Sequence, residues 1–245
     1  LERIGTRRSS PWKAAIAAAI IALGARAGIT NLATGAVDPL GAANSFRPLE
    51  VVLPARPDAG APAIEYRMMW PEQGEPPEAL SRVRAEVWAA WARGTSLEDR
   101  PPGGPGEAWA AMRRAAESAS RPGSESRRVE GIARLGAVLT VTVRRHFAPP
   151  ANAAMEEVEH LMFRQADGHR VRLEDLVAAS NRVAFAARVA AASGRTAIAF
   201  EDLKNFGVFP GELRFAILSG AQEVRVPLPA VADLVEPAWL EALRE

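Results

Sequence analysis

The chain has 245 residues, 48% of them hydrophobic, enough for one large domain or two small ones around a buried core. It contains no cysteine, which excludes disulfide scaffolds, thiol nucleophiles and cysteine-ligated metals. The formal charge of +1 hides an asymmetry: the first 27 residues hold five of the 30 Lys/Arg and one of the 29 Asp/Glu, and the remainder, at 25 against 28, is mildly acidic, which argues against a nucleic-acid binder.

Arg3, Arg7, Arg8 and Lys13 precede an apolar run from Ala14 to Ala25, followed by the small-x-small triplet Ala25-Arg26-Ala27. A helix of that length spans about 18 Å, short of the roughly 30 Å hydrocarbon core, so a cleaved signal peptide is expected, with an uncleaved anchor second. Residues 28–60, rich in Gly, Pro, Ala and Asn without sustained periodicity, are expected to be a linker. Ala63 to Trp70 then reads as a strand stopped by Pro71. Leu80, Val83, Val87 and Trp91 recur at helical spacing and predict a helix over 78–92. The loop Pro101 to Gly106 leads into a second helix over 107–118, with Trp109, Met112 and Ala116 on one face. Residues 121–126 read as a break. Together, 61–128 are expected to make a small α+β unit.

A second unit is expected over 129–245. Leu135, Ala137, Leu139, Val141, Val143 and Phe147 alternate with their neighbours and predict one long strand with a single buried face. Val158 to Gln165 has the same character. Asp167-Gly168 is a turn, Val171 and Leu173 a short strand, and Ser180 the expected N-cap of a helix that turns Phe185 and Val189 inward. Val208-Phe209 and Leu213 to Leu218 flank the turn pair Pro210-Gly211, Val224 to Val226 is a last strand, and Pro237 opens a terminal helix. Hairpins with helices between them predict an α+β fold, an antiparallel sheet with helices packed on one face.

The order strand, turn, Leu173-Glu174-Asp175-Leu176, helix, strand, then Val224-Arg225-Val226-Pro227-Leu228 into a helix resembles the C-terminal extracytoplasmic domain, of unknown function, shared by RsiV-type anti-sigma factors and PdaC-type cell-wall deacetylases. The segment Ile64 to Trp91 is similar to the small strand-helix domain that usually precedes it, so the resemblance runs from Ile64 to the end. It rests on Gly168, Leu173, Asp175, Leu176, Gly211, Leu213, Phe215, Gly220, Glu223, Val224, Val226 and Pro227, which are turn glycines and core positions for the most part. Two loops depart from the pattern. Ala148-Pro149-Pro150-Ala151-Asn152 stands where relatives often carry Gly-Ala-His-Pro, and Leu218 to Gln222 replaces a Tyr-bearing loop. The resemblance implies an envelope binding or sensing module, in some relatives a lysozyme receptor. In the deacetylases the chemistry belongs to a separate domain.

The residues offer little else. His146 and His160 fall on strands that would be neighbours, with Glu157 and Glu159 close by, so a carboxylate–imidazole metal site is weighed against ordinary surface or sheet-edge histidines. His169 reads as an exposed turn residue. Glu174-Asp175 reads as first-turn acids complementing a helix N-terminus, since adjacent helix positions do not face each other. No Gly-x-Ser-x-Gly elbow, phosphate loop or dinucleotide fingerprint occurs, and Ser219-Gly220 reads as a tight turn. Trp70, Trp88, Trp91, Trp109 and Trp239 suit core packing better than sugar stacking, and Arg127-Arg128 and Arg144-Arg145 suit a solvated face. No catalytic, cofactor-binding or metal-ligating residue is assigned, and no cofactor is expected. The expectation is a non-catalytic binding or sensing protein, exported to the periplasm or beyond, whose partner is a wall-degrading enzyme or wall glycan. A hydrolase or deacetylase built on His146, His160 and nearby carboxylates is the alternative. A cytoplasmic structural subunit is the third reading.

Overall fold

A computed structural model describes residues 46–55, 62–72, 77–119, 123–150, 153–217 and 222–243. The basic-apolar segment of residues 3–27, most of the expected linker and the Ser219-Gly220 turn lie outside them. The fold is α+β. Five strands form the main sheet in sequential order: β1 (Phe46–Leu53), β2 (Ala63–Pro71), β3 (Ser124–Leu135), β4 (Val138–Ala148) and β5 (Met155–Arg164). Every neighbouring pair is antiparallel except β2 and β3, which are parallel. A parallel pair needs a crossover, and α1 (Pro77–Ala92) and α2 (Pro105–Ser118) supply it.

β1 corrects the linker expected over 28–60 at Phe46–Leu53. Its apolar residues Phe46, Leu49 and Val51 are buried, and Pro48 is tolerated because an edge strand need not donate from every residue. β3 begins within the expected break and runs across the boundary drawn at 128/129, pairing with β2 on one side and β4 on the other. The single long strand expected from Leu135 is two. Gly136, at φ +54°, and Ala137 make a two-residue turn, after which Leu135 pairs with Val138.

Helix α1 forms where the 3.6-residue spacing put it, with Val83, Val87, Trp88 and Trp91 buried against the sheet. Tyr66 meets Trp91 edge-on at 5.2 Å, and the indole N–H of Trp88 donates to the Leu97 carbonyl at 2.8 Å. Trp70, Trp88 and Trp91 are core residues and each is 1% exposed or less. Truncating a side chain of that size in a closed core costs about 3–5 kcal/mol. Trp109 remains partly exposed, its N–H bonded to the Glu50 carbonyl on the outer edge of β1.

The second face of the sheet is covered as well. A three-stranded antiparallel sheet, β6 (Phe206–Phe209), β7 (Glu212–Ile217) and β8 (Gln222–Pro227), shares a second core with α3 (Leu173–Leu176), α4 (Arg182–Ala192) and the terminal α5 (Pro237–Ala242). Val138 and Met162 point into this core, whereas Val141, Val143, Leu161 and Phe163 point into the α1 core. β4 is therefore buried on both faces from Val138 to Val143, where the alternation suggested one. Phe185 and Val189 face inward on α4, as its pattern predicted. Ser180 is not the cap. Its hydroxyl donates to the Asn181 side chain, and a 3₁₀ turn at Ala179–Asn181 feeds the helix directly.

Thr140 and Asn205 join the sheets by side-chain hydrogen bonds. The Thr140 hydroxyl donates to the Val208 carbonyl at 2.9 Å and accepts from the Val208 N–H at 3.3 Å. The Asn205 amide accepts from the His160 N–H and donates to the Val158 carbonyl, both at 2.8 Å, and so occupies the outer edge of β5 as a short strand would.

Candidate functional site

The register separates the groups weighed for chemistry. His160 stands opposite Thr142, and His146 stands opposite Glu156, so the two imidazoles share a face but lie four strand positions, about 13 Å, apart. Glu157 and Glu159 stand opposite Arg145 and Val143 and project from the other face. The imidazoles and these carboxylates do not converge. Among the described residues no three His, Asp or Glu side chains gather with metal-site geometry.

His160 is enclosed between the sheets. Its Nδ1 lies 3.0 Å from the Thr142 hydroxyl, its ring meets Phe209 edge-on at 5.6 Å, and its Nε2 faces the Glu223 carboxylate at 3.6 Å. That last separation is an ion-pair distance, too long for a hydrogen bond, and Nε2 has no hydrogen-bond partner. The imidazole of His160 first, with Arg225 and the charge of Arg214 behind it, outweighs burial and holds the Glu223 carboxyl at about 2. Thr142 and His160 are both buried, and the row Thr142–His160–Glu223 links β4 and β5 to β8.

On the other face, Glu159 is a buried carboxylate served by three arginines: Arg93 at 2.9 Å, Arg145 at 3.4 Å and Arg170 at 3.5 Å. Arg145 also reaches Glu157 at 2.9 Å and the Ala90 carbonyl near the end of α1. The basic pair Arg144-Arg145 is thus split by strand alternation. Arg144 pairs with Glu130 and Glu156 on the outer part of one face, and Arg145 is buried in the other.

Among the described residues an open groove of about 510 Å³ is lined from three separate segments: Glu86 of α1, the stretch His169 to Glu174, and Lys204 after the 3₁₀ turn Phe200–Leu203. Its volume lies within the range of about 300–1,000 Å³ usual for small-molecule sites. The turn that carries His169 is pressed against α1. At Gly168, which has φ +69°, an added Cβ would stand 2.2 Å from the Ala79 carbonyl oxygen. Arg82 locks this contact, donating to the Asp167 carbonyl at 3.2 Å and meeting His169 Nε2 at 2.7 Å. Behind the turn, Val171 and Leu173 are buried in the second core. The expected short strand there is reduced to a single bridge between Arg170 and Phe163.

The lining is charged. Arg170 reaches Glu86 at 3.6 Å and Glu159 at 3.5 Å, and Lys204 reaches Glu174 at 3.4 Å. Burial alone would push the Glu174 carboxyl up, but its own backbone N–H and Lys204 more than offset this and leave it below the ordinary carboxylate range. Asp175, its neighbour, turns away and accepts from the Arg172 N–H at 2.8 Å, so the two acids divide as helix-start groups do. Arg172 is exposed, and its guanidinium has no ion-pair partner among the described residues. The sequence reading passed over Arg170, Arg172 and Lys204. For Arg170 and Arg172, nearness to the Gly168 turn could have pointed to them, whereas nothing in the sequence marks Lys204.

No family model matches the chain, and no curated protein matches it. Solved structures do. A DUF3298 family protein from Pseudomonas aeruginosa PAO1 is 11% identical with a TM-score of 0.54, over 81% of this chain and 94% of that one. A member of the same family from Bacteroides fragilis NCTC 9343 is 12% identical with a TM-score of 0.55, over 81% of this chain and 96% of that one. The chain therefore shares its fold with proteins described as members of the DUF3298 family, a domain of unknown function.

Proposed function

We propose that this protein is an exported, non-catalytic binding module of the bacterial cell envelope, and that the groove between α1 and the Gly168 turn is its contact site. The observation that carries the proposal is the construction of that groove. Charged side chains from three segments stand at its surface, while the turn that presents them is clamped to α1 by Gly168 and Arg82 and anchored by Val171 and Leu173. A rigid, pre-formed lining spends little of its binding free energy on ordering itself. Export rests on the basic and apolar pattern of residues 3–27. The partner is a wall-degrading enzyme or a wall glycan, as the resemblance to extracytoplasmic domains implies.

Two measurements test this. N-terminal sequencing of the protein purified from its native source should give a chain starting near Gly28, and an intact first segment in a cytoplasmic fraction would refute export. Immobilised protein should retain muramidase or peptidoglycan at low salt. If neither is retained, the envelope reading fails.

A further inference from the structure

Resting on the reading of the groove as the contact site, we propose that it takes a peptidic ligand through a free carboxylate, held by Arg172 and Arg170, with Glu174 and Glu86 receiving the ligand's N–H groups. The cations have donors to spare. Arg172 directs its backbone N–H to Asp175, but its guanidinium, with five N–H donors, has no hydrogen-bond or ion-pair partner among the described residues. Arg170 holds Glu86 and Glu159 at 3.6 and 3.5 Å, well beyond the roughly 2.7–2.9 Å of a charge-assisted hydrogen bond. A planar carboxylate matches a guanidinium fork at two points, and binding it adds contacts without breaking a tight pair.

The acids of the lining narrow the ligand class. Glu86 and Glu174 stand among the cations, so a polyanion such as a polyphosphate would gain at Arg172 and lose at both glutamates. A ligand that carries a carboxylate and amide or ammonium N–H groups a few ångströms apart meets both signs. The cavity, about 510 Å³, has room for a few residues beyond the charged end. The ligand is thus the terminus of a peptide, whether a short free peptide or the tail of a protein.

The whole protein should be titrated with trialanine, its C-terminal amide and inorganic phosphate, followed by calorimetry and by amide chemical shifts. Trialanine should shift residues 169–174 and 204 and bind at least about tenfold more tightly than the amide, and Arg172→Gln should erase that difference. Equal binding of acid and amide, shifts elsewhere on the surface, or phosphate displacing trialanine at equal concentration would overturn the proposal. The same three residues fused to the C-terminus of a carrier protein separate the sources. Equal affinity of fusion and free peptide supports a protein tail, and binding of the free peptide alone supports a small peptide. Retention of muramidase or peptidoglycan without peptide binding would sink the carboxylate site alone. Peptide binding without envelope retention would sink the envelope reading alone.

Discussion

Replacing Gly168 with alanine tests whether the turn at the groove is clamped to α1 as its geometry implies. The substitution carries two costs. A non-glycine residue at φ +69° pays about 1–2 kcal/mol for the left-handed conformation. The new Cβ would also stand 2.2 Å from the Ala79 carbonyl oxygen and 2.8 Å from its carbonyl carbon and Cα, so the turn or the first turn of α1 must move. Moving it loosens the two Arg82 contacts, to Asp167 and His169, each worth about 1 kcal/mol. The sum is about 3–4 kcal/mol. Gly194 and Gly211 provide the control, since both have positive φ, at +68° and +77°, and nothing within 4 Å of an added Cβ. Alanine there should cost only the conformational part, about 1–2 kcal/mol. Thermal unfolding followed by the fluorescence of the buried Trp88 and Trp91 measures all three variants, and each kcal/mol should lower Tm by about 2–4 °C. If Gly168→Ala proves no more costly than Gly194→Ala, the clamp is wrong and the groove loses its rigid wall.

Thr140→Val keeps shape and removes the hydroxyl that joins β4 to Val208, so stability should fall by about 1–3 kcal/mol. Hydrogen exchange at the Val208 amide should quicken, and unchanged protection there would contradict the tie. Glu159→Gln leaves Arg145 short of its buried counter-charge and should cost about 3 kcal/mol by denaturant unfolding. The half-exposed Glu157→Gln should cost less than about 1 kcal/mol, and an equal loss from both would show that burial is not what matters. The Glu223 carboxyl falls from 4.5 to about 2 on folding, chiefly through His160. A depressed carboxyl stabilises above its unfolded value and loses that contribution as pH falls from 4.5 towards 2. The urea midpoint of the wild type should therefore drop more steeply than that of Glu223→Gln between pH 5 and pH 3, and parallel decline would refute the assignment.

How much was legible depended on how local each cue was. The Ala63–Pro71 strand, the Pro77–Ala92 helix, the inward Phe185 and Val189 and the Pro210-Gly211 turn are written in periodicity and turn chemistry within a dozen residues, and all appear. β1 was missed because Phe46–Leu53 has weak alternation and draws its order from pairing with β2. The three strands of the second sheet were anticipated, but not that they form a separate sheet against the far face of the first, for a related reason. Thr140, Thr142 and His160 look like the polar side of a half-exposed sheet, yet they are buried because Val208, Glu223 and Asn205 arrive to meet their polar groups.

From the sequence alone came the α+β class, most of the strands and helices, the burial of Trp70, Trp88 and Trp91, though not the exposure of Trp109, and the lack of any recognisable catalytic motif. Tertiary structure decided the rest. It put β2 beside β3, placed a core on each face of β4, and gathered Glu86, Arg170, Arg172 and Lys204 around one groove. Periodicity records which way a side chain leaves its own strand or helix. It carries no record of which distant segment will stand opposite, and that meeting of segments is where burial, charge pairing and the groove arise.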